Sequence, residues 1–225
     1  MSTLAIVCAR RGSTRLPDKH GHYIGKHVVA EYAIIAAKKS IAKEVVVSSD
    51  DSFILELAEG HGVTGLRRNP VDATDTASIH KALQHVLRLW PHPARTFDYV
   101  VCIPGNIPTV TSKVINRAIR ALQKDEDATA SMTVRKACCP PEWLWYENNN
   151  RLHRFKKNKA YRMQDLDERL IATGTCAVVR TAVLMTCDRD DAFAWLGSKV
   201  VPVMDSGAIE IHDKDDLKLA RKVLT

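Results

Sequence analysis

The sequence lacks long hydrophobic runs. No segment of the 225-residue chain approaches the roughly 18 consecutive apolar residues that a membrane-spanning helix needs. The N-terminus has only a short apolar run with no basic stretch before it, so the pattern of a secretory signal is missing too. From these absences we expect a cytoplasmic protein that has no membrane partner.

Paired cysteine motifs are also missing. The chain has 6 cysteines, but none of them forms the C-x-x-C spacing of a zinc site. Four of them lie in runs that are typical of buried strand or helix, so we expect reduced thiols in the core. Cys138 and Cys139 are adjacent in a loop-like region, where a redox role is less favoured than an inert one.

Glycine and proline are present in ordinary amounts, and 45% of the residues are apolar. This composition suits one folded domain over residues 1–225. The formal net charge of +7 favours anionic partners without selecting among nucleotides, acidic sugars and nucleic acids. Basic residues gather in two places, the stretch 10–19 and the stretch 151–162.

Strand-like and helix-like segments alternate along the chain. Residues 140–167 lack sustained periodicity and are interpreted as an excursion from the core. The predicted strands cover residues 4–9, 44–49, 99–103, 128–135, 170–179 and 199–203. The predicted helices cover residues 27–40, 51–61, 76–90, 112–124 and 213–224, with Ser49 or Asp50 as the cap of the second and Asp213 as the cap of the last.

This alternation predicts an α/β fold with a mostly parallel, doubly wound sheet, because parallel neighbours need crossover connections. Ligands of such sheets bind beyond the carboxyl ends of the strands. The loop from Arg10 to Lys19 follows the first strand and therefore lies at that edge. The loop after Ile103 is expected at the same edge.

The loop RRGSTRLPDK places four cations and one glycine directly after a strand. Gly12 allows backbone N–H groups to approach an oxyanion, and Arg and Lys supply charge-assisted bonds to phosphate. Neither the Walker motif G-x-x-x-x-G-K-[ST] nor the dinucleotide motif G-x-G-x-x-G is present. The loop predicts a nucleoside triphosphate site, with a merely solvated basic loop as the alternative.

The segment ARRGSTRLPDK, residues 9–19, resembles the signature of the cytidylyltransferases that activate acidic sugars, such as N-acylneuraminate and 3-deoxy-manno-octulosonate. The similarity extends over nearly the whole chain. It includes Gly25-Lys26, VVVSSDD at 45–51, RRNPVDATDTAS at 67–78, YRMQD at 161–165, Thr173-Gly174 and EIHDKDDL at 210–217.

The resemblance implies a Rossmann-like fold of the nucleotide-diphospho-sugar transferase type, with a dimerisation or lid excursion at residues 140–167. It implies transfer of CMP from CTP to an acidic acceptor, with release of pyrophosphate and with Mg²⁺ as cofactor. A phosphonate remains open as the acceptor.

The resemblance also implies roles for single residues. Arg10 and Lys19 are the expected catalytic residues, and Arg162 and Gln164 the expected acceptor-binding residues. The expected nucleotide-binding residues are Arg10, Arg11, Gly12, Ser13, Arg15, Lys19, His20, Arg68, Ser78 and Asn106.

Three polar positions depart from the family pattern. Asn106 stands where a glutamine-containing turn is usual, and His20 stands where asparagine is common. Glu210-Ile211-His212 replaces an aspartate-isoleucine-aspartate sequence. Glu210 and His212 are the expected metal ligands, although an imidazole suits a hard cation less well than a carboxylate.

The second basic stretch has two interpretations, a solvated hairpin face or an arm that reaches an anionic substrate. The resemblance implies that the arm pairs with a second subunit. Trp143, Trp145 and Tyr146 beside it favour an interface, so we expect a homodimer.

The sequence alone is compatible with other functions. The same fold serves nucleotidyltransferases for other nucleotides and glycosyltransferases, although no convincing aspartate-x-aspartate metal motif occurs in mid-chain. A degenerate module that binds nucleotide or nucleic acid without turnover is a further alternative. No nucleic-acid motif supports it, so nucleic acid is not an expected partner.

Overall fold

A seven-stranded mixed sheet forms the centre of the protein. The computed structural model describes residues 1–69, 74, 77–90, 96–156, 162 and 165–225. The strands are β1 (Thr3–Cys8), β2 (Tyr23–Ile24), β3 (His27–Val28), β4 (Glu44–Ser49), β5 (Thr64–Arg67), β6 (Tyr99–Pro104), β7 (Ala130–Lys136), β8 (Trp145–Asn148), β9 (Arg151–Arg154), β10 (Leu170–Arg180) and β11 (Val200–Met204). The helices are α1 (Val29–Lys38), α2 (Ser52–Gly60), α3 (Ile79–Leu89), α4 (Ser112–Lys124), α5 (Thr181–Thr186) and α6 (Lys214–Leu224).

The strand order in the main sheet is β11-β7-β10-β6-β1-β4-β5. β1 pairs in parallel with β4 and β6, and β4 pairs in parallel with β5. β10 is antiparallel to both β6 and β7. The prediction of a mostly parallel sheet with helices is therefore confirmed, with one strand reversed.

Apolar residues cover both faces of this sheet, as a parallel sheet requires. One cluster joins Val7 and Ile103 to α1 and α4, and the other joins Ile6 and Val100 to α3 and Trp195.

The six cysteines are free thiols, and Cys8, Cys102 and Cys176 are buried. Among the described residues, no helix has the length and hydrophobicity that crossing a membrane requires.

Several details differ from the sequence prediction. Asp51 rather than Ser49 or Asp50 caps α2, because its side chain accepts a hydrogen bond from the Phe53 N–H at 3.0 Å. The excursion at 140–167 contains the exposed hairpin β8–β9. β5 and α5 were not predicted. Thr76, the expected start of the third helix, lies outside the described residues, and α3 begins at Ile79.

The loops after β1 and β6 meet at the carboxyl edge of the sheet. The Gly105 N–H donates to the Cys8 carbonyl at 2.8 Å. A Cβ atom at Gly105 would lie 2.9 Å from the Cβ of Ala9 and 3.2 Å from the Cys8 oxygen, so only glycine fits here. This close approach joins the two loops that the sequence places at one site.

Candidate active site

The loop from Ala9 to Asp18 is held to the neighbouring strand β4 by its backbone. The Ala9 N–H donates to the Ser48 carbonyl at 3.1 Å, and the Ser49 hydroxyl donates to the Ala9 carbonyl at 2.5 Å. The Arg11 N–H donates to Asp50 Oδ1 at 2.7 Å. Gly12 has a φ of 70°, a backbone conformation that favours glycine. The loop is therefore fixed at its base and open towards solvent.

The cationic side chains of this loop have distinct partners. Arg10 Nη1 donates to the Gly12 carbonyl at 2.7 Å, which shapes the turn. Arg11 and Asp18 form an exposed ion pair at 3.6 Å. Arg15 Nη2 lies 2.9 Å from His212 Nδ1, which joins the loop to the C-terminal segment. Ser13 Oγ accepts a long hydrogen bond of 3.4 Å from the Leu16 N–H.

His20 is buried directly beneath the loop. Its Nδ1 atom lies 3.0 Å from the Arg10 carbonyl, so Nδ1 carries a proton and donates to it. Burial, followed by the positive charge of Lys19, lowers the pKa of His20 to about 3. Arg68 and Arg10 add further positive charge around the imidazole. The ring is therefore neutral at physiological pH, and it shapes the loop without adding charge.

The burial of His20 predicts a loss of stability in acid. The unfolded chain takes up a proton near pH 6.5, whereas folded His20 stays neutral until about pH 3, so stability falls as pH drops between these values. Between pH 7 and pH 5 we expect wild type to lose about 2 kcal/mol more unfolding free energy than His20→Asn. Urea unfolding at both pH values measures this difference. His153→Asn on the exposed hairpin is the matched control, and equal losses in wild type and His20→Asn contradict the account.

Arg68 and Ser78, the residues expected to hold the base, are both fixed by neighbours. Arg68 is 4% exposed, and its Nε and Nη2 atoms donate to the hydroxyl and the carbonyl of Ser48, each at 3.2 Å. The Ser78 hydroxyl donates to Asp190 Oδ1 at 3.0 Å. Lys81 binds the same carboxylate at 2.8 Å, and this contact followed by that of Ser78 holds the pKa of Asp190 below its ordinary value.

The turn after β6 binds the C-terminal segment. The Asn106 amide Nδ2 donates to Glu210 Oε1 and to the Ile211 carbonyl, both at 3.2 Å, and the Ile211 N–H donates to the Asn106 carbonyl at 2.9 Å. Asn106 is 6% exposed. Two of the positions that depart from the family pattern, Asn106 and Glu210, therefore contact each other.

Glu210 and His212 continue this chain of contacts to the basic loop. Glu210 Oε2 lies 3.2 Å from His212 Nε2. Because a guanidinium can only donate, His212 Nδ1 accepts from Arg15, and the Nε2–H of a neutral ring donates to Glu210. The contacts thus run from Arg15 through His212 and Glu210 to Asn106.

Glu210 offers a carboxylate oxygen for a magnesium ion at this edge of the sheet. Within the described residues, no group of three or more His, Cys, Asp and Glu side chains could hold a metal by itself. Mg²⁺ is commonly bound by one or two carboxylates together with substrate phosphates, and one partly exposed carboxylate beside the basic loop fits that mode. Both ring nitrogens of His212 already have partners.

Of the two expected acceptor residues, the structure describes Arg162, whose partner lies outside this chain of contacts. Arg162 pairs with Asp165 at 3.2 Å, three residues along the chain, and both side chains are exposed. Gln164 lies outside the described residues, as do residues 70–73, 75–76, 161 and 163 of the quoted motifs. The acceptor role of Arg162 and Gln164 therefore stays a prediction.

A cavity of about 420 Å³ adjoins Glu210 and was missed by sequence reasoning. The antiparallel strand β10 has an irregularity in its pairing with β7 between Ala172 and Ala177, and both of these residues line the cavity. Gly174, in the irregularity, has a φ of 73°, and a Cβ atom there would lie 3.4 Å from Glu210 Oε2. The walls come from separate elements that share no motif, so no local signal marks the cavity.

Comparison with known proteins agrees with this arrangement. The family model described as cytidylyltransferase matches residues 4–167, more than half of the chain. The 3-deoxy-manno-octulosonate cytidylyltransferase of Brucella anthropi is 32% identical over 136 residues, 60% of this chain and 52% of the relative. The pseudaminic acid cytidylyltransferase of Campylobacter jejuni is 26% identical over 169 residues, 74% of this chain and 73% of the relative. The chain thus spans about half the length of the first relative.

Solved structures show the same fold. A CMP:2-keto-3-deoxy-manno-octonic acid synthetase complexed with CTP superimposes with a TM-score of 0.76 at 14% identity, covering 99% of this chain and 98% of that one. The 4-diphosphocytidyl-2C-methyl-D-erythritol synthase of Anaerococcus prevotii has a TM-score of 0.68 at 15% identity, covering 99% and 96%. With a basic loop at the carboxyl edge of the sheet and a family model that spans most of the strands, this chain belongs to the cytidylyltransferase family.

Proposed function

We propose that this protein transfers CMP from CTP to an acidic sugar acceptor and releases pyrophosphate. The observation that carries the proposal is the basic loop, which presents Arg10, Arg15 and Lys19 at the carboxyl edge of the sheet where ligands of such folds bind. The relatives named for octulosonate and pseudaminic acid support a sugar acid as acceptor.

The chemistry needs charge stabilisation rather than a covalent nucleophile. The acceptor hydroxyl oxygen attacks the α-phosphorus and loses its proton, the bond from that phosphorus to the pyrophosphate oxygen breaks, and pyrophosphate leaves. Negative charge develops on the non-bridging and leaving oxygens, where fixed cations lower the barrier. We assign this stabilisation to Arg10 and Lys19, while Arg11, Gly12, Ser13 and Arg15 bind the triphosphate.

We propose that Mg²⁺ assists through Glu210. When bound, the ion neutralises phosphate charge and orients the triphosphate. The 2.9 Å contact between Arg15 and His212 supports a different task for His212, which is to position Arg15 in the loop. Metal ligation by His212 stays a prediction.

The cytosine base is assigned to the region around His20 and Arg68. Both side chains are buried and lie close to each other, since the charge of Arg68 acts on the His20 ring. Ser78 and Asn106 complete the proposed nucleotide site. The hydrogen bonds of these two side chains hold them in place before the nucleotide binds. This supports the assignment, because a preorganised site loses less conformational entropy on binding.

We further propose that the protein is a homodimer that pairs through the β8–β9 hairpin. The eight residues of its two strands are all exposed, and they include Trp145, Tyr146 and Leu152. Exposed aromatic clusters of this kind favour a protein interface. We also propose that residues 1–225 form a single domain. Residues 140–167 form a segment of that domain that extends from the core and serves in dimerisation or as a lid.

We place the reaction in the cytoplasm. Six free thiols suit a reducing compartment, in which disulfides are rare. Nucleic acid and membrane are not proposed as partners.

Pyrophosphate release tests the proposed reaction. We expect purified protein with CTP and Mg²⁺ to release pyrophosphate only when a sugar acid is added. A panel of octulosonic acids, nonulosonic acids and phosphonates identifies the acceptor, and reactions without acceptor are the control. If CTP binds but no acceptor yields turnover, the protein is a degenerate module that binds nucleotide without turnover, and this hypothesis replaces the proposal.

A further inference from the structure

Ser78 stands at the N-terminus of α3 without capping the helix. A serine at this position usually accepts a hydrogen bond from a backbone N–H of the first turn. Its side chain accepts no such bond here, and the hydroxyl instead donates to Asp190 Oδ1 at 3.0 Å. Because an ionised carboxylate only accepts hydrogen bonds, the hydroxyl proton is committed to Asp190. Within the described residues, the lone pairs of the Ser78 oxygen therefore have no partner.

Asp190 is held in this position by its neighbours on α3. Lys81 Nζ lies 2.8 Å from Oδ1 and 2.9 Å from Oδ2 of Asp190. The contact with Lys81, followed by that with Ser78, keeps the pKa of Asp190 below its ordinary value, so the carboxylate is ionised at neutral pH. The buried Gln84 amide donates to the Cys187 carbonyl at 2.9 Å, three residues before Asp190. The segment that carries Asp190 is thus fixed against α3.

The start of α3 lies at the carboxyl edge of the sheet, where the nucleotide is proposed to bind. Ile79, the residue after Ser78, lines the cavity beside Glu210 together with Pro104 at the end of β6. The unpartnered lone pairs of Ser78 suit a hydrogen-bond donor on the nucleotide. Cytosine carries such a donor, its exocyclic amino group, whereas uracil carries an acceptor oxygen at the same ring position.

We propose that Asp190 is a positioning residue that makes Ser78 select cytosine over uracil. The inference rests on the proposed function and deepens it. The carboxylate binds the hydroxyl proton, so Ser78 presents only an acceptor to the base. This acceptor suits the cytosine amino group and opposes the uracil oxygen, because two acceptors that face each other are both left without a partner. Asp190 acts through Ser78 and does not itself touch the nucleotide.

The ratio of the dissociation constants for UTP and CTP measures this selection, by calorimetry with Mg²⁺ present. In Asp190→Ala the Ser78 hydroxyl can rotate and donate to uracil. We therefore expect the ratio to fall at least about threefold, within the range that one net hydrogen bond supplies. A change in charge or stability that affects both nucleotides alike cancels in the ratio. An unchanged ratio in Asp190→Ala overturns the inference.

Asp191→Ala is the matched control for this variant. It removes a carboxylate from the same segment, but Asp191 pairs with Arg189 at 3.0 Å and not with Ser78. The ratio of the two dissociation constants should therefore stay at the wild-type value. A fall in Asp191→Ala as large as that in Asp190→Ala overturns the inference, because the effect is then not specific to the carboxylate that binds Ser78.

Ser78→Ala supplies a second test that leaves Asp190 in place. Removal of the acceptor itself should weaken CTP binding more than UTP binding. Asp190→Ala should add no further change in the ratio to Ser78→Ala, since it acts only through the Ser78 hydroxyl. Equal weakening of both nucleotides by Ser78→Ala, or additive effects in the double variant, overturns the inference.

The failure of this inference can be told from failure of the proposed function. If wild type binds neither CTP nor UTP, the proposed function itself is contradicted. If wild type binds CTP and UTP equally, Asp190 has no selection to support and the inference is overturned. If wild type prefers CTP and the ratio survives Asp190→Ala, the role of Asp190 is contradicted while cytidylyl transfer stays intact.

Discussion

Arg10→Ala and Lys19→Ala are each expected to lower kcat by more than about tenfold. Removal of one donor that stabilises charge in a transition state costs roughly 10²- to 10³-fold in well-studied enzymes. The Arg10 side chain donates a hydrogen bond to the Gly12 carbonyl of its own loop. Lys19 begins a short 3-10 helix, Lys19–Gly21, which carries the buried His20. Both cations therefore lie on backbone that is held to the sheet edge, where preorganised charge acts most strongly.

Pyrophosphate release at saturating CTP and acceptor measures this loss. Lys218→Ala, on the exposed side of α6, is the matched control and should retain wild-type rates. CTP binding by each variant shows whether the loss lies in chemistry or in affinity. Near-normal kcat in Arg10→Ala and Lys19→Ala removes both residues from the proposed catalytic set.

Glu210→Gln is expected to raise the Mg²⁺ concentration for half-maximal activity by at least about tenfold. Mutation of a residue that only supports a metal ligand commonly costs roughly 10- to 100-fold in metal affinity, so removal of the charge of the ligand itself should cost at least as much. Glutamine keeps the shape of the side chain and the hydrogen bond from Asn106. His212→Ala should leave this Mg²⁺ dependence unchanged and raise KM for CTP instead, because it releases Arg15.

A double-mutant cycle separates the two roles of His212. If His212 positions Arg15, then Arg15→Ala and His212→Ala affect CTP binding non-additively, since each removes the same contact. CTP affinity without added metal, measured by calorimetry, supplies a readout apart from turnover. A large rise in the Mg²⁺ requirement of His212→Ala shows that His212 is a metal ligand, as the sequence pattern suggests.

The sequence predicts the parts of this protein that carry strong local signals. The strand at 44–49 and the helix at 112–124 agree residue for residue with β4 and α4, because their apolar patterns are long and regular. β5 was missed because it has four residues, one of them Gly65. α5 was missed because six residues span less than two helical turns. The β8–β9 hairpin shows no alternating pattern because both of its faces are exposed.

The sequence identifies the basic loop but not the contacts that its side chains make. Four cations after a strand locate the loop, whereas the contact between Arg15 and His212 joins residues 197 positions apart, so no local pattern reveals it. In the sequence, Asn106 is a departure from the glutamine-containing turn of the resembled family. In the structure it binds Glu210 and the Ile211 carbonyl, which gives this departure a physical reason.

The nucleotide selectivity of binding tests most directly whether the basic loop and the residues beneath it hold CTP. The measurement is the melting temperature with Mg²⁺ and one equal concentration of CTP, UTP, GTP or ATP, since at a given concentration a ligand that binds only the folded state stabilises it more when its dissociation constant is lower. We expect CTP to raise the melting temperature more than the other three nucleotides do. Equal shifts for all four would contradict it, because a site that holds the triphosphate alone does not distinguish the bases.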